Sequence, residues 1–398
     1  VSALEEALGG GAGERWGAFV NRAREAWDRS RRPLLEEPLW PNWQVLADRE
    51  PYPAVPRRRL LRRDLRATTL AEVAAWELAD PRLTALLESH ALACGLDPRT
   101  APAAAAVLPY MEHTFGSWYA VGGMRELARA VYERCLARGV EFVFGADVTA
   151  ITQKDGRVSG IGLADGETVE ADRVVAGVDT RLLSALVGGR DPWQDGDVRP
   201  GRRPVPGRLT VCLALRGGRP EGTAHRTVVH STDRAGELEA LFDEGVLGDS
   251  PTVTVLRPDD PSSVPDAGHE AVVLSAVVPA GGGAVDWADE AVAGDAADRL
   301  VRSAEAAVPG LADRILWRVV RTPLDTAALT GARGGSVPSP ALPGAGGRLL
   351  HPANSTRLAG LHVVGGWSHP GGGLPHAGMS GALVAGLIVE GEDFRGSQ

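Results

Sequence analysis

The chain has 398 residues, 44% of them hydrophobic and 23% charged, with a formal net charge of -9. That length can bury large cores and suits two domains, while an acidic balance argues against a nucleic-acid binder, which needs a basic face. No apolar run approaches the roughly twenty residues of a membrane-spanning helix, and Cys94, Cys135 and Cys212 lack metal-like spacing and read as reduced cytosolic thiols.

In chain order, residues 1 to 110 are expected to be mostly helical, with Trp16, Trp27, Trp40, Trp43 and Trp76 as core anchors of an apolar wall. Arg57, Arg58, Arg59, Arg62 and Arg63 alternate with Leu60, Leu61 and Leu65, as in a helix with snorkelling arginines. A solvated face is the first reading of that run and a peripheral membrane contact the second. Met124, Leu127, Ala128, Val131 and Leu136 recur at helical spacing, which predicts a helix over 123–138. Short buried strands are expected at 140–144, 147–151 and 172–176, with hairpin turns at Asp155-Gly156 and Asp165-Gly166.

Residues 205–215, 252–256, 271–279 and 315–322 read as strands, and 286–308 as a long amphipathic helix carrying Val292, Ala296, Leu300 and Ala304. This is the pattern of an inserted α+β domain. The expected division is 1–114 and 188–344 for a substrate domain, and 115–187 and 345–398 for a cofactor domain.

The last forty residues are the most informative. A strand at 361–364 runs into Gly365 and Gly366, then into a turn built on Pro370 to Gly373. A helix rich in Ala, Gly and Leu follows to about residue 390, with Pro375 placed for its first turn. Glycines at 371, 372 and 373 remove Cβ atoms where the backbone passes close to something bulky. Free N–H groups at such a helix start favour an anionic or electron-rich ligand group. Strand, glycine turn and helix N-terminus together hold a phosphorylated or electron-accepting cofactor.

A dinucleotide fold also needs Gly-x-Gly-x-x-Gly after a first strand. Gly9-Gly10-Gly11-Ala12-Gly13 follows a polar amphipathic run and Gly344-Ala345-Gly346-Gly347 follows a proline-rich loop, so neither supplies it. The chain begins with Val1 inside a helical pattern, and the expectation is an N-terminally truncated protein. Gly378-Met379-Ser380-Gly381-Ala382 imitates a hydrolase nucleophile elbow, but no histidine follows Ser380. His351, His362, His369 and His376 lack the helical pairing of a zinc site.

Gly365, Gly366, Ser368, His369, Pro370, Gly371, Gly373 and Pro375 sit in the register of the C-terminal flavin signature of the phytoene desaturase (carotenoid dehydrogenase) family, which the chain resembles. That family belongs to the flavin amine-oxidase superfamily. Residues 115–187, with Gly122-Gly123-Met124, resemble a second segment of it. Trp367 and His376 depart from the pattern, being bulky where relatives are small.

The resemblance implies an α/β plus α+β architecture: an FAD-binding, Rossmann-like domain of the glutathione-reductase type lacking its first βαβ unit, with an inserted mixed sheet and helices. It implies FAD as cofactor, held by Val148 at the adenine and by Gly365, Gly366, Gly371, Gly373, Leu374, Pro375 and Met379 at the turn and helix. The implied reaction is dehydrogenation of an apolar polyene or terpenoid, with a hydride passing to the flavin and a proton leaving the neighbouring carbon. It would run in the cytoplasm, with a peripheral membrane contact as a second reading. No catalytic base is identifiable from the sequence. Two alternatives stand beside it: an amine oxidase, for which four tyrosines and six phenylalanines supply little aromatic cage, and a catalytically inactive fragment that binds apolar ligands or a partner.

Overall fold

A computed structural model describes residues 1–39, 43–56, 64–194, 198 and 205–396. The arginine run at 57–63 and Trp40 lie outside the described residues.

The N-terminal third packs helix on helix. Helix α1 (Ala12–Arg31) repeats apolar residues on one stripe, and Trp16, Phe19, Ala23 and Ala26 are buried there. They meet Leu83, Leu87 and Ala91 of α2 (Pro81–Ala93) and Val107 and Tyr110 of α3 (Val107–Phe115). Each fully buried Leu or Phe contributes roughly 1.5–3 kcal/mol. Trp16 is buried; Trp27, Trp43 and Trp76 are only partly covered.

Helix α4 (Met124–Leu136) follows, and then a β-meander of β1 (Val148–Lys154), β2 (Arg157–Leu163) and β3 (Thr168–Glu170). Strand β4 (Val174–Ala176) continues from it. The helix forms as expected, but its stripe is bare: none of its residues is buried, and Met124 and Val131 are 59% and 57% exposed. The strand expected at 140–144 is not formed. No strand among the described residues pairs with it, and Val143 and Phe144 are each 78% exposed. A strand needs a ladder partner for its N–H and C=O groups, and sequence pattern alone does not supply one. What holds the segment is aromatic contact: the Phe142 ring lies 4.6 Å from Tyr132 and 5.9 Å from Phe144.

A five-stranded antiparallel sheet fills 207–321. Its members are β5 (Gly207–Arg216), β6 (Arg226–Val229), β7 (Val253–Leu256), β8 (His269–Val278) and β9 (Ile315–Arg321), in the order β9-β5-β8-β7-β6. Strict alternation buries Leu209, Val211, Leu213 and Leu215 of β5, and Val272, Leu274, Ala276 and Val278 of β8, on one face. Helix α5 (Glu290–Ala304) covers that face with Ala296, Ala297, Leu300 and Ala304. At the far end of β8, buried Glu270 accepts from Arg257 Nε at 2.6 Å and from Arg314 Nη2 at 2.8 Å. The opposite sheet face, carrying Arg208, Ser275 and Val277, turns toward α2.

The chain returns through β10 (Leu361–Val363), which pairs in parallel with β4: Leu361 opposite Val174, Val363 opposite Ala176. Helix α6 (Leu374–Glu390) ends the fold, with Gly373 as its N-cap and Pro375 in its first turn. Among the described residues, no helix is long and apolar enough to cross a membrane.

Candidate functional site

Strand β10 delivers the chain into the glycine turn, and a buried polar knot fixes its path. Asn354 is 2% exposed, and its Nδ2 donates to Val363 O (3.0 Å) and His369 O (2.8 Å) and lies 3.0 Å from Ser380 Oγ. Gly365 N donates to the same Ser380 oxygen at 3.1 Å, so strand end, turn and helix share one network. Ser368, His369 and Ser380 are fully buried within it. His369 uses Nε2 against Glu37 O at 3.1 Å, and burial pushes its pKa down to about 4. Asn354 escaped the sequence reading: a lone Asn ahead of a short strand carries no periodic signal.

The glycines of the turn divide into two kinds. At Gly372 a Cβ would stand 1.8 Å from Pro338 O, and at Gly371 one would stand 2.6 Å from Ala341 N. Gly366 likewise faces Pro338, 2.7 Å from its Cγ. The bulky neighbour anticipated there is the chain's own 338–341 segment. Gly365, at φ +92°, instead has nothing within 4 Å, and the same holds for Gly378 and Gly381 on α6. Gly373 (φ +106°) meets only His376 Nδ1, at 3.3 Å.

Helix α6 has no side-chain cap. The amides of Gly373, Leu374 and His376 have no acceptor among the described residues. Leu374, Gly378, Gly381, Ala382 and Ala385 form an exposed, smooth stripe along it. An uncapped helix start and a stripe of helix glycines with no packing partner both cost stability within one chain. Both fit a planar group with an electron-rich edge laid against the turn, so the residues present suit the isoalloxazine and ribityl part of a flavin.

Behind the turn lies a cavity of about 640 Å³, within the size range of small-molecule sites. Trp27, Leu35, Leu108, Met111 and Phe115 line it from the helical part, Arg208 and Val277 from the sheet, and Gly373, Pro375, His376 and Met379 from the turn and α6. Three lining groups can titrate. The His90 imidazole holds the Glu112 carboxyl at about 2 against the pull of burial, with Arg226 Nη1 donating to it at 2.7 Å. Burial pushes the Cys94 thiol up to about 11. Burial lowers the pKa of His376, which keeps that imidazole neutral.

Of the residues picked from the sequence, Gly373, Pro375 and Met379 therefore share one cavity, Leu374 lies between two of them at the helix start, Gly365 is outside the lining with open space around it, and Gly366 and Gly371 are pressed on their own chain. Val148 opens β1 opposite Leu163 and is 39% exposed; no hydrogen bond joins it to the turn. Gly122 N donates to Asp260 Oδ2 at 2.7 Å, and Tyr119 Oη donates to the same oxygen at 2.8 Å, which fixes the 119–122 loop against the strand domain. No group of three or more metal-ligating side chains converges among the described residues.

A family described as flavin containing amine oxidoreductase matches residues 16–389. The chain is 30% identical over 322 residues to a 4,4'-diapolycopene oxygenase of Methylomonas, across 78% of this chain and 63% of that protein. It is 31% identical over 327 residues to a neurosporene-forming phytoene desaturase of Rhodobacter capsulatus, across 78% of this chain and 61% of the relative. It thus spans about three fifths of the length of these relatives. In fold it is similar to an oxidoreductase from Methanosarcina mazei (TM-score 0.52, 14% identity, 80% of this chain and 68% of that one). Putrescine oxidase is a second structural neighbour (TM-score 0.51, 13% identity, 94% and 75%).

Proposed function

Because the chain belongs to the flavin containing amine oxidoreductase family, we propose that it works as an FAD-dependent dehydrogenase of an apolar polyene or terpenoid, in the manner of the carotenoid desaturases it is similar to. One observation carries this reading: a large apolar cavity opens directly onto the uncapped start of α6, where Gly373, Pro375, His376 and Met379 line it. FAD bound there supplies the hydride acceptor.

The chain's own residues do the rest. Trp27, Leu108, Met111 and Phe115 orient a hydrocarbon and exclude water from the reacting carbons. Gly365, Gly373, Leu374, Pro375 and Met379 seat the flavin edge, while Gly366 and Gly371 set the turn's shape. Val148 is assigned to the adenine end; its support is the match of 115–187 to the family pattern. His376 is assigned the proton that leaves the substrate, since Glu112 is already committed as a paired carboxylate and the Cys94 thiol stays protonated. An amine oxidase would want an aromatic cage, and among the described residues the lining offers Trp27 and Phe115.

The bare stripe of α4 and the unpaired 140–144 segment are assigned to docking of a βαβ unit with the pyrophosphate loop. The support is their exposure and the additional length of the relatives.

Phytoene dispersed in liposomes, incubated with the chain, FAD and a quinone as electron acceptor, tests the activity. The expected result is a longer polyene absorbing in the visible. Unchanged phytoene with demonstrably bound FAD would overturn it.

A further inference from the structure

One cationic side chain in the cavity wall is left without a counter-charge. Arg208, on β5 opposite Val277, donates from Nη2 to Ala93 O at 2.7 Å and from Nη1 to Ser275 Oγ at 3.3 Å. Ala93 ends α2, so the guanidinium sits at the negative end of a helix dipole. Among the described residues no carboxylate lies within ion-pair distance of it. Glu112, which lines the same cavity, is taken by Arg226 and His90. The neighbouring Cys94 thiol is neutral.

A guanidinium has five N–H donors in a planar fork, and two protein acceptors leave that fork partly unused. A desolvated charge without a paired anion is costly, and a carboxylate meeting the fork in two parallel hydrogen bonds is the group that relieves it most. A purely hydrocarbon substrate would leave the donors unmet, and an apolar residue would serve it better at this position.

We propose that Arg208 is a specificity-determining residue, which among the apolar chains the cavity admits favours those that end in a carboxylate and docks that end at the sheet while the chain runs along the cavity toward Gly373 and Met379. The inference rests on the dehydrogenase reading of the same cavity and deepens it by naming the substrate's polar end. Oxygen-bearing polyenes, and not only hydrocarbons, are then the substrate class. Trp27 in the lining gives the site an optical reporter.

The test compares all-trans-retinoate with all-trans-retinol, the same polyene ending in a carboxylate or an alcohol. Both are titrated against the 398-residue chain at pH 8 by quenching of tryptophan fluorescence. A Trp27→Phe variant identifies the signal of this cavity. Retinoate should bind about tenfold more tightly than retinol, the scale of a charge-assisted pair over a neutral one. Arg208→Met should remove the difference, and Arg208→Lys should keep part of it. A merely structural role for Arg208 at the end of α2 would change thermal stability but not the ratio of the two affinities.

Equal affinities in the unsubstituted chain would overturn the assignment of Arg208 while leaving the polyene cavity standing. So would a preference that survives in Arg208→Met. If neither ligand quenches Trp27, the cavity reading falls and the inference falls with it.

Discussion

Gly372 and Pro338 touch so closely that no side chain fits between them: a Cβ on Gly372 would lie 1.8 Å from the Pro338 carbonyl oxygen. Six residues on, Gly378 has nothing within 4 Å. The two glycines thus answer to different demands, one to the chain's own packing and one to whatever lies against α6. Gly372→Ala should cost about 3 kcal/mol or prevent folding. Gly378→Ala should stabilise the chain by about 0.5–1 kcal/mol through helix propensity. Thermal denaturation of both variants checks the contrast; equal effects would contradict it.

Gly378→Leu extends the same logic to the cofactor. With open space around it, the leucine should leave the melting temperature within a few degrees of the unsubstituted protein. Flavin affinity should fall at least tenfold, because that stripe faces the ring system in the proposed seat. Equilibrium dialysis against FAD measures it.

Stability should decline with acid in a window to which His369 contributes. Its folded-state pKa is about 4, depressed by burial, against an ordinary value near 6.5. The unfolded chain therefore binds a proton at a higher pH than the folded one. The contribution is complete above about pH 6.5 and is lost as pH falls toward 4, at about 1.4 kcal/mol per pH unit. His351, which burial also pushes down to about 4, titrates over the same window, so replacing His369 with Gln should reduce the pH dependence of the denaturation midpoint over that range by roughly half.

Glu270 offers a second stability test. Its side chain is 1% exposed and is gripped by Arg257 and Arg314, which together outweigh burial and keep its pKa low. Glu270→Ala would leave two arginines facing each other, and a loss of about 3–5 kcal/mol is expected in urea unfolding. Because the folded pKa is depressed, this carboxylate's contribution also weakens as acid protonates it.

Most of the architecture was legible in the sequence for a physical reason: alternation and helical periodicity register burial against elements in the same chain. The sheet strands of 207–321, helix α5 and the strand–turn–helix of 361–390 follow from that pattern. The 140–144 strand did not form because it has no ladder partner among the described residues. For Gly366 and Gly371 the neighbour was not legible, because a glycine signals close approach without naming what approaches, here the 338–341 segment. Asn354 and Arg208 were invisible, since their meaning lies in contacts with residues distant in sequence.

The most direct test is a visible-absorption titration of the purified chain with FAD, read alongside the Gly378→Leu variant. The account predicts a shifted, structured flavin band and quenched flavin emission with the unsubstituted chain, both weakened in the variant. FAD that keeps its free-solution spectrum at every protein concentration, or a bound spectrum indifferent to Gly378→Leu, would contradict the assignment of the turn and α6 as the flavin seat.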